Sequence, residues 1–213
     1  MEGLAADTFK IISGIDMRSG MMRLPFPHLE IYEVADKRRY IELLSNWLPR
    51  DESGWKMLDH PDQRLPDGTY GRLQRPAADL DERLDDLLCS DRLRDKLFDR
   101  LGMATPAECY PFAFMVDDAP GYWIRKHPDT PQKIATLQWY FALPDDPEIM
   151  GTRMCDEVWE DNDRRIPWLP NWGYAFEVTD KSFHEVRRGQ CPRQRRSIQV
   201  IWYRTPEPSI RYV

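Results

Sequence analysis

Apolar positions change their spacing about halfway along the chain. From Ala35 to Trp47, the residues Tyr40, Ile41, Leu44 and Trp47 recur three or four positions apart, which predicts a helix ended by Pro49. Residues 79–101 set Leu80, Leu84, Leu87, Leu88, Leu93, Leu97 and Leu101 among alternating acidic and basic side chains. That pattern predicts one or two amphipathic helices with ion-paired outer faces. Ser90 suits an N-cap, with Asp91 in the first turn, and Gly102 suits a stop. Ahead of the first helix, Phe26, Leu29 and Ile31 within Leu24–Tyr32 suit a strand whose prolines sit at an edge or an entry. Residues 1–22 read as a loosely tied lead-in, and residues 50–75 are rich in turn signals, including Pro66-Asp67-Gly68.

After Gly102 the period shortens. Tyr110–Val116, Tyr122–Arg125, Ile134–Leu143, Tyr174–Val178 and Ser197–Tyr203 are aromatic and β-branched runs separated by Pro, Asp, Gly and Asn. Helices first and strands afterwards predict an α+β, mainly β fold: N-terminal helices backing an antiparallel double sheet, with a cavity between the two sheets. The expected organisation is one domain, with residues 1–105 supplying a strand and supporting helices and residues 106–213 the β core.

Composition narrows the function classes. The 213 residues are 41% hydrophobic and 12% aromatic, which a disordered chain would not be. No apolar run approaches the length of about 20 residues that spans a bilayer. The N-terminus lacks a basic start followed by an apolar stretch, so no signal peptide is expected, and the cytoplasm is the expected location. Thirty basic against 36 acidic side chains, a formal charge of −6, argue against nucleic-acid or membrane-surface binding as the main role. Cys89, Cys109, Cys155 and Cys191 are scattered without a CxxC pair, so free thiols are expected rather than a zinc knuckle.

Among the four histidines, two stand in informative company. His127-Pro-Asp129 follows a strand-like run, and residues two apart in extended chain face one side. His184, in Ser182-Phe-His184-Glu-Val, lies 57 residues further on. Two imidazoles and one carboxylate on one face of a metal form the facial triad of non-haem Fe(II) oxygenases, leaving positions open for a bidentate co-substrate and dioxygen. Arg195 and Ser197 share a face at the start of the last strand, eleven residues past His184. A guanidinium fork beside a hydroxyl suits the far carboxylate of a small diacid.

These motifs, with Lys133-Ile-Ala-Thr-Leu-Gln-Trp-Tyr140-Phe, Gly151-Thr152, Asn171 through Phe176 and Arg195-Arg-Ser197, stand in the order found in 2-oxoglutarate/Fe(II)-dependent dioxygenases. Residues 110–204 resemble the prolyl-4-hydroxylase-like branch of that superfamily; the Pro25-Phe-Pro-His28 run and following helix resemble the lead-in of bacterial members more weakly. The resemblance implies a double-stranded β-helix, or distorted jelly roll. It implies His127, Asp129 and His184 as iron ligands, and Arg195 with Ser197 as the receiver of the distal carboxylate of 2-oxoglutarate. It places Tyr140 at a position that contacts the co-substrate, with Gln138 and Thr136 on the same face. The interval from His184 to Arg195 is a residue or two longer than the resemblance leads one to expect, which leaves Arg196 as an alternative anchor. The implied cofactors are Fe(II), 2-oxoglutarate and O2, with ascorbate as a stimulant. The implied outcome is substrate hydroxylation with release of succinate and CO2, and Asp129 favours hydroxylation over halogenation.

A small molecule, such as an amino acid or biosynthetic intermediate, is the expected substrate, with a peptidyl side chain as the alternative. Two other readings share the barrel: a cupin-like metalloenzyme that does not use 2-oxoglutarate, and a non-catalytic binding module. His28 and His60 read as structural or surface residues. The cluster of Arg187, Arg188, Arg193 and Arg196 reads as a solvated hairpin that could also invite an anion. Most of the tryptophans read as core. Trp168 and Trp172 flank a loop and are placed to rim the cavity.

Overall fold

In the computed structural model, which describes residues 19–51, 53–57, 65, 71–158 and 162–206, the strands form two antiparallel sheets facing each other. The first half of the chain supplies β1 (Ser19–Met22), β2 (His28–Ile31), α1 (Lys37–Ser45), β3 (Lys56–Met57), β4 (Arg72–Pro76), α2 (Glu82–Leu88) and α3 (Asp91–Leu101). The second supplies β5 (Tyr110–Asp118), β6 (Ile124–His127), β7 (Lys133–Tyr140), β8 (Arg153–Cys155), β9 (Arg164–Arg165), β10 (Gly173–Glu177), β11 (Phe183–Val186) and β12 (Arg195–Tyr203). The larger sheet runs β1-β2-β10-β7-β12-β5-β4-β3 and the smaller β6-β11-β8-β9.

The helices form where the spacing predicts them, and their ends have identifiable causes. Asp36 caps α1 through the amides of Arg38 and Arg39, Asp81 caps α2 through Leu84, and Ser90 caps α3 through Leu93. Gly102 closes α3 in the left-handed region, with φ of 72°. The apolar stripes, including Leu43 of α1, Leu84 and Leu88 of α2, and Leu93, Leu97 and Phe98 of α3, pack on one face of the larger sheet. There they meet Leu29 and Ile31 of β2, Met115 of β5, Leu137 and Trp139 of β7 and Ile198, Val200 and Trp202 of β12. Each fully buried Leu contributes on the order of 1.5–3 kcal/mol of transfer free energy. Strand alternation then turns the intervening residues into the space between the sheets: Thr136, Gln138 and Tyr140 from β7, and Arg195, Ser197 and Gln199 from β12.

Several details differ from the sequence-based expectation. Residues 19–22 are a strand paired with β2 rather than loose lead-in, and β3 and β4 extend the other edge of the same sheet from within the turn-rich stretch. These strands are short and carry little period-2 signal. The strand expected to start at Tyr122 starts at Ile124, because Gly121 (φ 86°) and the bond from Tyr122 N to Ala119 O make a turn there. His60 and Pro66-Asp67-Gly68 lie outside the described residues. Among those described, no helix is long and apolar enough to cross a membrane, and all four cysteines are free thiols.

Asn171 joins the helical layer to the sheet. It holds φ of 62°, a conformation Asn tolerates better than most residues. Its Oδ1 accepts from Ala35 N and from Trp139 Nε1, both at 3.0 Å, and its Nδ2 donates to Ala35 O at 2.6 Å. Asn171→Ala removes these bonds and leaves buried groups unpaired, so urea denaturation should show a loss of about 3 kcal/mol or more. An unchanged midpoint would mean that the hub carries no net stability.

Candidate metal centre

β6 ends at His127 and pairs with β11 so that His127 stands opposite His184. The pairing brings the two ring centroids to 4.5 Å. Pro128 stops β6 from continuing its ladder, and the chain turns so that Asp129 comes back toward the same point. One ligand atom from each of His127, Asp129 and His184 lies within 4.8 Å of the others. The three residues that the sequence singles out therefore converge.

The donor set fits a divalent transition metal. In both imidazoles Nδ1 faces a backbone carbonyl, Arg125 O at 2.8 Å for His127 and Ser182 O at 3.2 Å for His184. A carbonyl only accepts, so Nδ1 carries the proton and the bare Nε2 is left for a metal. Burial lowers the pKa of both: His127, which also feels His184, is pushed down to about 4, and His184 is lowered in the same direction. Both rings are therefore neutral at physiological pH, as ligation requires. Burial works against ionising Asp129, but the Lys133 ammonium beside it holds its carboxyl well below the usual range. Lys133 Nζ pairs with Asp129 Oδ1 and the Thr136 hydroxyl donates to Oδ2 at 3.1 Å, so both carboxylate oxygens are held. Lys133 lies in the run that the sequence singles out, though the resemblance assigns it no role there. The signal for it is a cation four residues after an acid that must lie buried.

Deeper between the sheets lies a polar network. Ser197 Oγ accepts from Gln138 Nε2 at 2.8 Å, the Tyr174 hydroxyl donates to Gln138 Oε1, and Thr152 N donates to the Tyr140 hydroxyl at 3.0 Å. Arg195 faces this interior. Its Nη1 donates to Asp118 Oδ2 at 2.8 Å, its Nη2 reaches only 3.4 Å from Thr152 Oγ1, and its Nε is buried without a partner. A buried guanidinium with unused donors fits the distal carboxylate of a diacid. Arg196 faces the other way, with Nη2 toward Gln194 Oε1 at 3.3 Å. The β12 register thus puts Arg195 inside and Arg196 outside. Trp168 is buried rather than at a rim. Its ring stands 4.8 Å from the Arg195 guanidinium and 4.4 Å from Tyr140, while Trp172 packs edge-on to Tyr32 at 4.5 Å.

Three other features have simpler accounts. The basic hairpin is largely engaged: Arg193 bonds Asp145 at 2.8 Å, Arg187 pairs with Glu185, and Arg188 stacks over Trp123 at 4.2 Å. Cys155, Asp163 and Glu185 also approach one another, but Arg153 and Arg187 neutralise the two acids and burial pushes the Cys155 thiol up to about 12. His28 is buried on the inner face of β2, with Nδ1 on Phe26 O at 2.8 Å, in keeping with a structural role.

No protein-family model matches the sequence, and no curated protein matches it. Solved structures do share the fold. A Pseudomonas putida prolyl-4-hydroxylase superposes with a TM-score of 0.63 at 16% identity, over 95% of this chain and 99% of the other. A Trichoplax adhaerens prolyl hydroxylase, solved with a peptide fragment of the hypoxia inducible factor oxygen degradation domain, gives 0.61 at 14% identity, over 95% and 90%. SnoN, a non-heme alpha ketoglutarate dependent epimerase from nogalamycin biosynthesis, gives 0.54 at 12% identity, over 98% and 88%. The chain has the double-stranded β-helix fold of the 2-oxoglutarate/Fe(II) oxygenases.

Proposed function

We propose that this chain, built on the fold of the 2-oxoglutarate/Fe(II) oxygenases, is itself such a dioxygenase and hydroxylates a small molecule. The observation that carries the reading is the convergence of His127, Asp129 and His184 on one point inside that fold. Bound there, Fe(II) supplies the coupling of 2-oxoglutarate decarboxylation to substrate oxidation, with release of succinate and CO2.

The chain's own residues then have definite tasks. His127 and His184 offer neutral Nε2 atoms because burial and the backbone carbonyls fix their tautomer. Lys133 and Thr136 hold the Asp129 carboxylate in place. Arg195 receives the distal carboxylate of 2-oxoglutarate, with Ser197, Gln138 and Tyr140 forming the polar wall beside it. Buried aromatic rings, Trp168 and Tyr140 among them, exclude water from that end of the cavity. Phe112, Phe114, Gln74 and Gln199 are only half-buried on the inner face, a compact mixed surface that suits a small substrate.

The test is stoichiometric. Protein given Fe(II), ascorbate and 2-oxoglutarate should release one succinate per 2-oxoglutarate consumed, faster when the right member of a pool of amino acids and biosynthetic intermediates is present. A pool of prolyl peptides in parallel decides between free and peptidyl substrates. Metal binding without any 2-oxoglutarate binding would favour a cupin-like enzyme instead. Neither metal nor 2-oxoglutarate binding would leave a binding module.

Arg195→Ala should separate the two ligands. Removing one member of a buried charged pair costs about 3–5 kcal/mol, so 2-oxoglutarate should bind about 100-fold more weakly or worse. Metal affinity, measured by equilibrium dialysis, should stay within about threefold. Equal weakening by Arg196→Ala would contradict the assignment of the anchor.

A further inference from the structure

The charge deepest in the cavity does not balance. Arg72, on β4, donates from Nε and Nη2 to the two oxygens of Asp118, at 2.6 and 2.9 Å. Arg195 donates to that same Oδ2 at 2.8 Å. Two guanidinium cations thus share one carboxylate, and among the described residues no second acid pairs with either. Both lie against the ring of Tyr122, at 4.6 and 6.0 Å from its centroid. Three donors in this cluster remain unused. Arg195 Nε and the Tyr122 hydroxyl are buried without partners, and Arg72 Nη1 bonds no described residue. The side chain of Arg72 is also 13% exposed, whereas those of Asp118 and Arg195 are each 1% exposed.

A purely structural ion pair would be closed by one arginine, since Arg72 alone already makes a bidentate fork with Asp118. The second guanidinium leaves one positive charge in excess in a place nearly cut off from water, and such a charge is costly unless an anion meets it. The spare positive charge and the spare donors both suit a carboxylate. We propose that Arg72 is a second carboxylate-binding residue of the cavity, acting beside Arg195 while Asp118 holds both guanidiniums. This rests on the oxygenase reading only for the identity of the carboxylate: it belongs either to the distal end of 2-oxoglutarate or to the primary substrate.

The test compares dicarboxylates with matched monocarboxylates: 2-oxoglutarate against 2-oxovalerate, and glutarate against valerate. Binding to the full chain is followed by calorimetry with and without Mn(II). The wild type is expected to prefer the diacid in at least one pair by tenfold or more, and Arg72→Met to reduce that preference to threefold or less. Arg72→Lys keeps a charge against Asp118, and with it the fold, but loses the planar fork; an intermediate preference is expected. Loss of the 2-oxoglutarate preference assigns the carboxylate to the co-substrate. Loss confined to glutarate added on top of the Mn(II) and 2-oxoglutarate complex assigns it to the primary substrate.

No diacid preference in the wild type, or the same preference in all three proteins, overturns the proposal. A diacid preference that depends on Arg72 but not on Mn(II) or the 2-oxo group leaves Arg72 standing and removes the oxygenase reading. Dependence on both with no effect of Arg72 does the reverse.

Discussion

Replacing His184 with alanine is expected to abolish stoichiometric metal binding and to cut succinate release by a factor on the order of 10^3 or more. Outer-shell partners of metal ligands are commonly worth about 10–100-fold, and a ligand is worth more than its supports. The fold should survive, because His184 sits half-buried on β11, a strand held on both sides by β6 and β8. Alanine keeps those backbone bonds. Metal analysis after anaerobic loading, beside circular dichroism of the same sample, separates loss of the centre from loss of structure. A variant that still holds one equivalent of iron as tightly as the parent would show that His184 is not a ligand.

Gly151→Ala is expected to prevent folding or to destabilise the protein by more than about 4 kcal/mol, a size of effect reserved for identifiable steric or charge defects. A Cβ built on Gly151 would stand 1.7 Å from Ile166 O, and 2.9 Å from both Ile166 C and Trp168 N. All three are backbone atoms and cannot rotate away. Making room would break the bonds from Ile166 N to Thr152 O at 2.9 Å and from Trp168 N to Glu148 O at 3.0 Å. The damage would reach the chemistry, since Thr152 N holds the Tyr140 hydroxyl and Trp168 covers Arg195. Soluble yield and melting temperature are the measurements. A melting temperature within a few degrees of the parent would mean that the two segments can separate at little cost.

The candidate metal centre could be read from the sequence because histidine is rare in this chain and His127 stands two residues from Asp129. Four histidines leave few ways to make a triad, and the strand geometry at His127 and Asp129 fixes which side they face. The helices were legible for a similar reason: a long apolar stripe with a cap at each end leaves little ambiguity. The companions of the centre were not. Arg72 belongs to a five-residue strand embedded in turn signals, and it meets Asp118 across 46 residues of sequence. Asp117 and Asp118 look like the start of a turn after an apolar strand, yet both are buried and continue β5. Their partners make that tolerable, Arg50, Gln194 and Trp47 for Asp117 and Arg72 with Arg195 for Asp118. Long-range pairing of charges leaves no local periodicity, so pattern reading passes over it. Short strands such as β8, β9 and β11 escape for the same cause, being defined by neighbours rather than by their own alternation.

The position of β12 has a consequence for how the molecule assembles. It is the latest strand among the described residues, yet it lies in the middle of the larger sheet, between β7 and β5. Without it, β1-β2-β10-β7 and β5-β4-β3 are separate ribbons with no hydrogen-bonded seam between them. During synthesis the sheet therefore cannot close until β12, which follows every other strand of that sheet, has been made. Contacts this distant along the chain make for slow folding. Until the keystone is set, Asp118 lacks one of its two cations and the apolar faces of both ribbons stay open, so the nascent chain passes through a stage in which holdase chaperones have much to bind.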